Sequence, residues 1–116
     1  MDYKFINTEY LQSVSGGDRE ITLELVNMFR EQSGEIYNEM KLRLSEKNFI
    51  SLGHLAHKAK SSVAIMGMND LAAMLKTLEL QAKDGVESGQ YESYISKFKS
   101  DTDAALIELE DYLNNS

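Results

Sequence analysis

Cysteine and proline are both absent from the sequence. Without cysteine there is no disulfide, no thiolate metal site and no thiol nucleophile. Without proline, long helices meet few obstacles. No run approaches the ~18 apolar residues of a membrane span, and the opening MDYKFINTEYL holds no apolar segment of the signal-peptide kind. A cytoplasmic location is therefore expected. Positive charge is also short: 12 Lys and Arg stand against 19 Asp and Glu, a net charge of -7. A chain this acidic is not expected to bind nucleic acid. Internal repeats, low-complexity segments and strand-like runs are missing too.

What is present is ordinary globular content, 42% hydrophobic and 27% charged, rich in Leu, Glu, Lys, Ala and Met. A length of 116 residues supports one hydrophobic core, so residues 1–116 read as a single domain. Thr8 or Asn7 can cap a short helix through about Ser13, with Tyr10, Leu11 and Val14 apolar, which Gly16-Gly17 ends. Asp18 is the expected N-cap of a long helix in which Ile21, Leu25, Met28, Phe29, Ile36, Tyr37, Met40 and Leu44 keep a helical period, with Gly34 marking a bend. Lys47-Asn48 ends it, Asn48 being suited to the left-handed conformation past a helix end. After the next helix Gly67 closes, Asn69 caps, and Leu71, Met74, Leu75, Leu78 and Ala82 form a stripe that Lys83-Asp84-Gly85 ends. A last helix runs from about Gln90 to Leu113, with Tyr91, Ile95, Phe98, Ala105, Leu109 and Tyr112 on its core side. Four long helices joined by short loops, each with one stripe to bury, predict an all-α fold: an up-down-up-down antiparallel four-helix bundle with a short extra N-terminal helix.

The stretch Asn48–Asn69 stands apart. It carries both histidines, His54 and His57, with Lys58 and Lys60 and no acid, a positive island on an acidic chain. Leu52, Leu55, Ala56, Ala59, Val63 and Met66 share one helix face. At ~100° per residue His57 falls roughly 140° from Leu52 and so turns towards water. Its neighbours at i-4, i+4 and i+7 are Gly53, Ser61 and Ala64, all small, which suits close approach by a bulky phosphorylated partner. An ordinary exposed histidine is the plain alternative.

Residues equidistant from the turn at Gly67-Met68 share a level, so His57 faces Glu79 and Lys60 faces Lys76. A carboxylate at Glu79 can accept the Nδ1 hydrogen of His57 and leave Nε2 as a nucleophile, with Lys60 and Lys76 supplying positive charge for a phosphoryl group. The plain readings are a solvated glutamate at the stripe's edge and two surface lysines. A receiving partner is expected to cover Ile50, Gly53, His54, Lys58, Ser61 and Ala64, with Ile50 as an apolar anchor and the short N-terminal helix helping.

Ala56-His57-Lys58-Ala59-Lys60-Ser61-Ser62, followed by Gly67, Leu71 and Leu78-Glu79, resembles the histidine-containing phosphotransfer (HPt) domain of two-component phosphorelays. That pattern is histidine with lysine at +3, glycine at +4, serine at +5, glycine at +10, leucine at +14 and a late Leu-Glu pair. The short first helix, the Gly-Gly-Asp break and the long following helix are similar too. One position departs: the family's +4 glycine is Ser61 here. The resemblance implies that His57 carries a phosphoryl group between the aspartates of response-regulator receiver domains, with a hybrid sensor histidine kinase as a second candidate partner. It implies a monomeric carrier with no cofactor of its own, the divalent ion coming with the receiver. There is no Gly-rich phosphate loop, so ATP binding and kinase activity are not expected. Two alternatives stay open: a module that docks receivers without being phosphorylated, and a metal site shared by His54, His57 and a carboxylate.

Overall fold

The computed structural model describes residues 3–115. Its order is α1 (Thr8–Ser15), α2 (Arg19–Ser45), α3 (Phe49–Ile65), α4 (Asn69–Asp84), a 3-10 turn (Ser88–Gln90) and α5 (Tyr91–Asn114), with no strand among the described residues. At ~1.5 Å per residue the 27-residue α2 spans ~40 Å, most of the 44 Å long axis of the molecule.

The helix ends follow local chemistry. Of the two candidate caps Asn7 serves, its Oδ1 accepting the Tyr10 amide at 3.0 Å, and α1 runs two residues past the expected Ser13. Asp18 Oδ1 accepts the amides of Glu20 at 2.8 Å and Ile21 at 3.2 Å. Past α2 the left-handed residue is Lys47 (φ +56°), not Asn48. Asn48 is needed instead as the cap of α3, accepting the Ser51 amide at 3.2 Å. Gly67 (φ +75°) closes α3 with two bonds, Met68 N–H to Val63 O and Gly67 N–H to Ala64 O. A Cβ there would also lie 2.5 Å from that of Asn7, so glycine serves both the turn and the close passage of the N-terminal segment. That turn makes the buried Met68 the N-cap and Asn69 the first helical residue, so Asn69 does not cap as expected.

The buried seam of α2 is Thr22, Val26, Phe29, Ser33, Ile36 and Met40. Ile21 and Met28, both expected inside, are 44% and 52% exposed. The seam alternates steps of four and three, as packing against neighbouring helices requires. It admits the smaller Thr22 and Ser33 and leaves those two apolar residues outside. α2 continues through Gly34 without a break. In α5 the seam is Tyr91, Ile95, Phe98, Thr102, Ala105, Leu109 and Leu113, with Thr102 Oγ1 donating to Phe98 O at 2.8 Å. Tyr112, expected inside, is half-buried and meets Tyr3 edge-on.

α3 packs most extensively on α4; α2 packs on α3 and α5, and α4 on α5, while α1 sits on α2 and α3. The segment before α1 is tied to α5 through Asp111, which accepts the Tyr3 hydroxyl at 2.8 Å, and through Glu108. Glu108 accepts the amides of Lys4, Phe5 and Ile6 at 2.9, 2.9 and 3.1 Å.

Candidate functional site

α3 buries Leu52, Gly53, Ala56, Ala59, Ser62 and Val63. With alanine and glycine so frequent on that face, α4 comes close. A Cβ at Gly53 would stand 3.3 Å from both Glu79 O and Lys83 Cγ. Gly53 therefore lies in the α3–α4 seam rather than on the open face where it was expected. Its place on the wheel is at the stripe's edge, and the close helix contact takes it in.

His57 projects from this seam with its side chain 59% exposed, while Glu79 on α4 is 8% exposed. Nδ1 of His57 lies 3.0 Å from Glu79 Oε2. Lys60 Nζ reaches Oε1 at 3.3 Å and Lys83 Nζ reaches Oε2 at 3.3 Å. Burial pushes the Glu79 carboxyl up, but the hydrogen bonds from His57, Lys83 and Lys60 outweigh it and hold the group down at about 2. An ionised carboxylate only accepts, so Nδ1 carries a hydrogen, and in the neutral ring the lone pair is on Nε2. The arrangement is a tautomer-fixed imidazole, open to solvent, beside two ammonium groups.

Lys83 joins the cluster without having been expected from the sequence, and Lys76, expected at the level of Lys60, is not among the partners of Glu79. Lys76 is exposed and outside ion-pairing distance of any carboxylate among the described residues. Helical side chains lean towards the N-terminus of their own helix. Lys60 thus leans back towards His57 and Lys83 towards Glu79, while Lys76 leans away. The signal was available, since Glu79-Lys83 is an i, i+4 pair in the favoured order.

The other expected residues divide by exposure. Ile50 is 64% exposed. His54, Lys58 and Ser61 are exposed and Ala64 is half-buried. The Ser61 hydroxyl makes only a long contact, 3.5 Å, back to His57 O, so it lies along its own helix. Met28 and Ile65, both exposed, border one shallow depression with Gln32 and Ser62. The larger clefts, of 410 and 430 Å³, lie between the N-terminal segment and the start of α4 and between α2 and α5. Neither includes His57, whose setting suits a docked macromolecule rather than an enclosed small ligand.

Residues 24–115 match the family model of the Hpt domain. None of the curated proteins matches the chain. Among solved structures, the chain is similar to the crystal structure of histidine-containing phosphotransfer protein B (HptB) from Pseudomonas aeruginosa PAO1, with a TM-score of 0.87 over 99% of each chain at 22% identity. At that identity the likeness speaks to the fold.

Proposed function

The chain belongs to the Hpt domain family, and on that premise we propose that His57 carries a phosphoryl group between the aspartates of receiver domains. The observation that carries this reading is the 3.0 Å contact between His57 Nδ1 and the ionised Glu79, which leaves the exposed ring with Nε2 as its nucleophile. In the forward step the Nε2 lone pair attacks phosphorus in line, and the bond from phosphorus to the aspartate oxygen breaks. The bonding pair returns to the aspartate carboxylate. Nδ1 keeps its hydrogen on Glu79 throughout. Lys60 offsets charge on the phosphoryl oxygens, and the divalent ion is expected from the receiver. Transfer onward is the same step reversed on a second aspartate.

The same reading takes residues 1–116 as one such domain, monomeric and cytoplasmic. It takes α2 to α5 as an up-down-up-down antiparallel bundle with α1 as the extra helix, supported by the short connections 46–48 and 66–68 and by the ring of neighbours α2–α3–α4–α5. A receiver would dock over Ile50, His54, Lys58, Ser61 and Ala64. Met28 and Ile65 extend that face as exposed apolar contacts, which is the use the fold makes of a methionine left out of its seam. A hybrid sensor kinase is a second candidate source of the phosphoryl group.

The test is incubation with a phosphorylated receiver followed by a search for acid-labile label. Label on the wild type that His57→Gln loses and His54→Gln keeps supports the carrier. Stable binding of the receiver with no label on His57 would favour the docking module instead.

A further inference from the structure

Glu79 creates a conflict within the site. A carboxylate that fixes an imidazole tautomer in general also stabilises the imidazolium, and an imidazolium has no lone pair on Nε2 with which to attack phosphorus. Two ammonium groups oppose that tendency, and they are not equivalent. Lys60 sits on Oε1, whereas Lys83 sits on Oε2, the oxygen to which His57 itself donates. The Lys83 stem reaches that oxygen alongside Gly53, where any Cβ would come within 3.3 Å of Lys83 Cγ.

We infer that Lys83 is a positioning residue that opposes protonation of His57 by sharing its acceptor oxygen, and that Gly53 is the notch through which Lys83 reaches it. On α3 the exposed His54 and Lys58 also flank His57, but among the described residues neither is paired with Glu79, and Lys83 alone shares Oε2 with His57. His57 and Lys60 face Glu79 from α3, and Lys83 faces it from α4. α2 meets α3 nearby through Gln32 and Ser62, and α5 reaches α4 through the Tyr91 hydroxyl on Gln81 O. Neither of these contacts involves a charged group. The role rests on the reading of His57 as phosphoacceptor, although its first test does not require phosphorylation.

That test is an NMR titration of His57 in the unphosphorylated wild type, Lys83→Met and Lys83→Arg proteins. Removing the ammonium should move the pH at which His57 gains its proton upward by about half a unit to one unit. Lys83→Arg should restore the wild-type midpoint. Labelling by phosphoramidate, which needs no docking surface, should fall roughly threefold in Lys83→Met at a pH one unit below the wild-type midpoint, with the gap closing at high pH, as a midpoint rise of about half a unit dictates. Gly53→Ala should shift the midpoint in the same direction. A Lys83→Met midpoint equal to the wild type overturns the inference, and an unmoved midpoint in a folded Gly53→Ala protein overturns the part assigned to the notch. If the midpoint moves but the wild type takes no label from any donor, the phosphoacceptor reading fails while the charge coupling stands.

Discussion

Two glutamates in this molecule each accept three hydrogen bonds, and they do different work. Glu108 takes its three from the backbone amides of Lys4, Phe5 and Ile6, and Glu79 takes its three from the side chains of His57, Lys60 and Lys83. Backbone amides neither titrate nor leave, so the first arrangement fixes a segment of chain. Side-chain donors on two helices carry charge and, in the case of imidazole, change it. The second arrangement therefore holds a reactive group in one state while leaving its far nitrogen open. The contrast lies in the donors rather than in the carboxylate.

The widest break in that comparison is at His57. Replacing it with Gln keeps a donor for Glu79 but removes the nucleophile, so receiver-dependent label should fall at least about a hundredfold, with helix content unchanged by circular dichroism. Next comes Ala64→Arg, which leaves the Glu79 cluster intact and obstructs the face above it. Transfer from a receiver should drop by about tenfold or more, equivalent to ~1.4 kcal/mol, while phosphoramidate still labels His57. Normal receiver transfer in that protein would place the docking face elsewhere.

Glu108→Ala tests the other side. It strands three amides near the start of the chain, and chemical denaturation should show a loss of about 1–3 kcal/mol, with phosphoramidate labelling at the wild-type rate. A fall in labelling would mean that the two glutamates are coupled. Acid offers a finer probe. The Glu79 carboxyl is lowered in the folded protein from 4.5 to about 2, so its contribution is complete above pH 4.5 and is lost as pH falls towards 2. The native protein binds fewer protons than the unfolded chain in that window, so stability declines on acidification. Glu79→Gln should flatten that part of the stability–pH curve, whereas equal slopes in the wild-type and Glu79→Gln proteins would discount the cluster. The smallest effect is expected from Lys60→Ala. Stability should change by less than about 1 kcal/mol, and transfer should slow severalfold because Lys83 remains on Glu79.

Much of this was legible without the fold. His57 and Lys60 share one helix, so their spacing alone brings them together, and Glu79 follows from counting away from a tight turn at Gly67. Counting gives level but not lean, which is why Lys76, at the level of Lys60, was expected in a cluster that Lys83 joins instead. In α2, hydropathy favoured Ile21 and Met28 over Thr22 and Ser33, because hydropathy measures each residue alone while the seam is chosen by neighbouring helices.

The sequence by itself determined the helices and their ends, since period and caps such as Asn7, Asp18 and Gly67 act within a turn or two of chain. It also determined that a histidine would stand on an open face among small residues. Only the tertiary structure decided that Glu79 is buried and ionised, that Gly53 lies inside the α3–α4 seam, and that Lys83 completes the cluster. Each of those sits at the edge of an apolar stripe. There, a few degrees of rotation and about an ångström of helix separation decide between water and contact, and both are set by the packing of the whole rather than by any local run of residues.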